Sequence, residues 1–233
     1  MKILKNAVMI SSMMLLAVSC GSTGKKDKDR SLAKIMEDSI SKKSVEKHIA
    51  EWSPDSKEAA GFMIGKYGLP TDVTSDSLVW NHAGPFAKAV VYKEPVKHLF
   101  PVPHNDVIEH SVYYASPDAQ KVSQIWEFSG SISLDRTKGM MSARSDSEEA
   151  NILALNLADQ VIKGEKSVNE ARMEYGKRLM QLSDASEQPS HLTKTLVFST
   201  ANDRVGDPDH TISDRVRRES IQAEEEGSQE LEN

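Results

Sequence analysis

The chain has 233 residues, 38% of them hydrophobic and 27% charged, with a formal net charge of −6 at pH 7. These fractions are typical of a globular protein. Residues 184–233 hold twelve acidic and five basic side chains, so the acidity is concentrated in a tail and residues 1–183 carry a balance of plus one. No basic stripe remains elsewhere, and this excludes nucleic acid as a partner.

The N-terminus has the layout of an export signal. Lys2 and Lys5 precede an apolar run over residues 7–18 that only Ser11 and Ser12 interrupt. The run is shorter than the roughly 20 apolar residues that a transmembrane helix needs. Residues 1–19 are therefore predicted to be a cleaved signal peptide.

The residues that end this segment carry a resemblance to a known class of protein. Leu16-Ala17-Val18-Ser19-Cys20 resembles the bacterial lipobox, although Ala17 stands where leucine is preferred, and Cys20 is the only cysteine in the chain. The resemblance implies a lipoprotein with a covalent lipid on Cys20 and attachment to a membrane through two or three acyl chains. The alternative is an ordinary secretory peptide with a chance cysteine.

The residue after the lipobox bears on which membrane holds the lipid. Gly21 is not the aspartate that retains lipoproteins in the inner membrane of many enteric-type bacteria, so the resemblance favours the outer membrane of the cell envelope. Residues 20–44 are rich in Lys, Asp and Ser and are predicted to be a flexible tether. A globular domain is expected over residues 45–183, followed by a largely disordered acidic tail over residues 184–233.

The first half of the domain is predicted to contain one helix and three strands. Ser53-Pro54 is a helix cap followed by proline at the first helical position, and Gly68 suits the C-terminal cap. Val, Leu, Trp and Tyr dominate residues 77–81 and 87–93, which flank Ala83-Gly84-Pro85 and predict a hairpin. Prolines make residues 99–105 an irregular excursion, and a third strand fits residues 107–115.

The second half alternates helices with a second hairpin. A short helix is expected after a cap at Ser116, and a hairpin over residues 130–134 and 140–143. Two longer helices open with Ser-x-x-Glu, the form of a capping box, at Ser145 and at Ser167. The fold class is therefore α+β, with a small antiparallel sheet of two hairpins plus a strand and helices packed on one face.

Histidines and carboxylates cluster in the segment 98–110. Imidazole and carboxylate are common ligands of zinc and similar ions. His104, Asp106 and His110 are accordingly the predicted ligands of a divalent metal ion, since the prolines nearby would stiffen this backbone. The spacing matches no named metal motif, however. The alternative is a polar loop in which the histidines are capping and surface residues, and the protein then has no cofactor other than the lipid.

A second resemblance covers most of residues 55–175. Trp80-Asn81, Gly84-Pro85, residues 100–106 and residues 136–158 are similar to an uncharacterised family of bacterial hypothetical proteins, to which no activity is assigned. It implies a defined domain without a stated purpose.

Two functions follow from the sequence as predictions. The leading one is a membrane-anchored envelope lipoprotein that acts without catalysis, as a binding or scaffold module for an envelope protein partner, because no nucleophile elbow or nucleotide loop occurs. The alternative is a metal-dependent envelope enzyme that uses the segment 98–110.

Overall fold

The computed structural model describes residues 40–115, 117, 119–182, 188–200 and 211–221. The predicted signal peptide, Cys20, Ser116 and most of the predicted tether and tail lie outside these residues. Among the helices of the described ranges, none combines the length and the apolar character needed to cross a membrane.

The strands form one antiparallel sheet of six members in the order β1-β2-β3-β4-β6-β5. They are β1 (Asp72–Val73), β2 (Ser77–Ala83), β3 (Phe86–His98), β4 (His104–Tyr113), β5 (Ile132–Asp135) and β6 (Met140–Ser145). The predicted α+β class and both predicted hairpins are confirmed. The sheet is larger than two hairpins plus a strand because β1, only two residues long, adds an edge that no periodic pattern reveals.

The helices are α1 (Lys42–His48), α2 (Pro54–Tyr67), α3 (Ala119–Phe128), α4 (Glu148–Lys163), α5 (Val168–Leu182) and α6 (His191–Lys194). Residues 213–221 are also helical. The predicted start of α2 is confirmed, since the Ser53 side chain accepts a hydrogen bond from the backbone N–H of Ser56. The helix ends at Gly68, whose φ of 82° few other residues adopt.

One of the two predicted capping boxes is wrong. The Ser167 N–H donates to the Glu170 carboxylate, and the Glu170 N–H donates to the Ser167 hydroxyl, so the box at α5 is confirmed. The N-cap of α4, in contrast, is Ser147, and Ser145 is the last residue of β6. Strand β6 thus extends two residues beyond the predicted end at residue 143, and the cap moves with it.

One face of the sheet carries the core, as predicted. Cross-strand pairing places Trp80 opposite Ala89, Ala89 opposite His110 and His110 opposite Ala143, so these side chains share a face. Helices α1 and α2 cover the β2 side of that face in one buried cluster, and α3, α4 and α5 cover the β6 side in another. Residues on the opposite face are mainly polar or half-buried.

Strand β4 begins three residues earlier than predicted. The pairing of β3 with β4 shifts register between Val91 and Val96, and it then resumes with His98 opposite His104. The predicted irregular excursion is therefore confined to residues 99–103, and His104 and Asp106 lie on a paired strand.

The packed structure continues past the boundary predicted at residue 183. The Asn156 side chain of α4 donates to the carbonyls of Leu192 and Thr195, each over 2.8 Å, and it accepts from the N–H of Val197 over 2.8 Å. Thr193 is fully buried there. The polar sequence of this segment concealed its packing, because its hydrogen bonds are made to a side chain on a distant helix.

We expect Asn156→Leu to lower the free energy of unfolding by about 2–3 kcal/mol, since three backbone groups lose their hydrogen-bond partner on α4. Chemical denaturation measures the loss, and hydrogen exchange at the Val197 amide should accelerate. Asn169→Leu, on the exposed side of α5, is the matched control and should change neither quantity. Unaltered exchange at the Val197 amide would show that the Asn156 side chain does not hold this segment.

Candidate functional site

Three polar side chains meet where β3 ends and β4 begins, and they are called the donor group here: His98, His104 and Asp106. The Nε2 atom of His104 lies 3.1 Å from Oδ1 of Asp106, and Nδ1 of His98 lies 3.6 Å from the same oxygen. All three atoms lie within 4.8 Å of one another. The sequence therefore predicted two of the three members.

The donor group is buried and unsatisfied. The Asp106 side chain is 4% exposed, and those of His104 and His98 are 11% and 19% exposed. Among the described residues, none supplies a hydrogen-bond partner to His98 Nδ1, His104 Nε2 or Asp106 Oδ1. Buried polar atoms normally have such partners, so three that converge on one point are a candidate site.

The two imidazoles of the donor group differ in their affinity for a proton. The neighbouring Asp106 carboxylate raises the pKa of His104, although burial opposes it. Burial lowers the pKa of His98, with Asp106 opposing. Two imidazoles beside one carboxylate are side chains that can hold a divalent metal ion.

His110, the third predicted ligand, lies outside the donor group. It is four residues beyond Asp106 on β4, or about 13 Å along an extended strand. Its Nδ1 atom accepts a hydrogen bond from Nδ2 of Asn151, and its Nε2 atom lies 3.4 Å from the carboxylate of Glu148. His98 takes its place because the register shift in β3 sets His98 opposite His104.

A buried network surrounds Glu148, the first residue of α4. Lys66 donates to its Oε1 over 2.6 Å, and the Tyr67 hydroxyl donates to its Oε2 over 2.9 Å. Burial alone would raise the pKa of Glu148, but His110 and Lys66 outweigh it and lower the pKa to about 2. The Ser-x-x-Glu pattern at Ser145 predicts only a capping role for Glu148, and the sequence carries no signal of this network.

A cleft of about 510 Å³ opens between α2, β4 and the β6–α4 connection, and it is called the acidic cleft. Five of its lining residues are acidic, four are apolar, and neither Lys nor Arg lines it among the described residues. The lining residues are Asp55, Glu58, Ala59, Phe62, His104, Asn105, Val107, Ile108, Asp146, Ser147, Glu148 and Glu149. His104 thus belongs both to the donor group and to the cleft wall.

No protein family model, no curated protein and no solved structure matches this chain.

We expect Glu148→Gln to lower the free energy of unfolding at pH 7 by about 2–3 kcal/mol, because it removes a buried charge that Lys66 and Tyr67 stabilise. The stability that Glu148 contributes is complete above its ordinary pKa of 4.5 and is lost as the pH falls towards about 2. Denaturation from pH 7 to pH 2 should show the difference between wild type and variant shrinking over that window.

Glu149→Gln is the matched control, because Glu149 is the next carboxylate on α4 and is only half-buried. A variant difference that stayed constant down to pH 2 would contradict the role of the Glu148 charge.

Proposed function

We propose that this chain is a lipid-anchored lipoprotein of the bacterial envelope whose folded domain is a binding module, with the acidic cleft as its ligand site. The observation that carries the proposal is the cleft itself. Its volume of about 510 Å³ lies within the range of roughly 300–1,000 Å³ common for ligand pockets. The anchor is supported by the lipobox-like residues that end at Cys20 and by the single cysteine.

The lining of the acidic cleft selects the chemistry of the ligand. Asp55 accepts a hydrogen bond from Asn105 and Glu148 is paired with Lys66. Glu58 and Glu149 make no ion pair with any residue that the structure describes. A ligand with a positive charge satisfies these carboxylates, and an apolar portion covers the floor formed by Ala59, Phe62, Val107 and Ile108. A basic segment of an envelope protein partner has both properties.

We expect an amphipathic peptide of alternating Lys and Leu to bind the full chain, and its Glu–Leu counterpart not to bind. The double variant Glu58→Lys, Glu149→Lys should weaken binding at least about tenfold, because the cleft then repels the peptide. Isothermal titration at two salt concentrations measures this.

The matched control is Glu51→Lys with Glu165→Lys, which changes the net charge equally at exposed positions outside the cleft. Equal losses in both double variants would show that the peptide responds to net charge alone, and this would refute the cleft as the site.

We expect the anchor to depend on Cys20. Cys20→Ala should release the chain from the membrane fraction and abolish its labelling with radioactive palmitate, because the thiol is the only one that can be acylated. Fractionation of cells that express the two chains measures this. A Cys20→Ala chain that stayed in the membrane fraction would count against the anchor.

A metal-dependent envelope enzyme is the second candidate function. The observation that favours it is that His104 is shared by the donor group and the acidic cleft, so a bound ion and a bound ligand would be neighbours. The two functions differ in the fate of the ligand. A peptide recovered with unchanged mass after incubation with the metal-loaded chain supports the binding module, and a hydrolysed one supports the enzyme.

A further inference from the structure

The hydrogen bond that His104 makes with the backbone decides which of its ring nitrogens directs a lone pair at Asp106. The Nδ1 atom lies 2.8 Å from the carbonyl oxygen of Val102. Because a carbonyl can only accept, Nδ1 carries the hydrogen, and in the neutral ring Nε2 is an acceptor. Nε2 then faces Oδ1 of Asp106 at 3.1 Å. Two acceptors at that distance repel each other unless a cation lies between them.

A proton on His104 satisfies only part of the donor group. It would leave Nδ1 of His98, which is also buried and without a hydrogen-bond partner among the described residues, 3.6 Å from Asp106. A metal ion, in contrast, accepts a lone pair from all three atoms at once.

The separations of the donor atoms suit a small divalent ion. In tetrahedral geometry, metal bonds of about 2.0–2.2 Å to imidazole and carboxylate place neighbouring ligand atoms about 3.3–3.6 Å apart. Two pairs of donors are separated by 3.1 and 3.6 Å, and the third pair lies within 4.8 Å.

The backbone holds these ligands in place. His98 and His104 are directly opposite each other on β3 and β4, and Asp106 is two residues farther on the same face. The bond from His104 to Val102 is the kind of outer contact that orients a metal-binding imidazole. Phe100 stacks on Tyr175 with ring centroids 5.6 Å apart and supports the loop between the two histidines.

We propose that Nδ1 of His98, Nε2 of His104 and Oδ1 of Asp106 bind one divalent first-row transition metal ion of the zinc class. Three protein ligands of this type leave at least one coordination position for water or another ligand. This proposal does not depend on peptide binding in the acidic cleft, because the ion needs only the donor group.

The test uses the full chain without an oligohistidine tag and with Cys20→Ser, so that the only thiol cannot bind the ion. After removal of metal with a chelator, the chain is dialysed against Zn²⁺ or Co²⁺ and analysed by elemental mass spectrometry. We expect about one ion per chain, and less than about 0.1 in His98→Ala or Asp106→Asn. The visible spectrum of the Co²⁺ form should disappear in the same variants.

His82→Asn is the matched control, because His82 is an exposed histidine with a φ of 60° that asparagine tolerates. It should retain the ion. The metal-free Asp106→Asn chain should melt no lower than the metal-free wild type. The change removes a carboxylate that, without an ion, repels the lone pairs of the two neighbouring imidazoles. A folded wild type that takes up neither ion, or variants that keep it, would overturn the proposal. A metal-free Asp106→Asn chain that melted lower would indicate an ion pair instead.

Discussion

The buried carboxylate of Glu148 is the interaction on which the arrangement of the domain depends. It receives hydrogen bonds from Lys66 and Tyr67 of α2 and lies beside His110 of β4. It therefore ties two helices and the central sheet together at the boundary between the two core clusters. A buried charge needs such partners, because an unpaired one would cost several kcal/mol. The same constraint fixes the β6–α4 connection, which forms one wall of the acidic cleft.

The donor group depends on a different constraint, the register of β3. If the pairing of Val91 with Ile108 continued regularly, Pro95 would lie opposite His104. The shift of three residues places His98 there instead. Proline has no N–H to donate to a neighbouring strand, and the irregularity includes Pro95. The candidate metal ligands are thus brought together by an interruption of the sheet.

The acidic cleft and the donor group meet at His104, so both candidate sites lie at one edge of the domain. Three other buried polar residues of α4 serve structure: Asn151 bonds to β4, Asn156 holds the segment 191–197, and Asp159 bonds to Tyr114 and Lys163. Each of these buried side chains therefore has a hydrogen-bond partner on another element or on the next turn of the helix. None of them faces the acidic cleft.

The sequence by itself determined the α+β class, both hairpins and the start of α2. These are local properties, since strand alternation, the turn residues Gly84-Pro85 and the cap at Ser53 act over a few neighbours. It also identified His104 and Asp106, which are two residues apart on one strand. Only the tertiary structure decided that His98 completes the group and His110 does not, that Glu148 pairs with α2, and that the segment 191–197 packs on α4. Each of these depends on strand register or on contacts between residues far apart in the chain, which a single sequence does not specify.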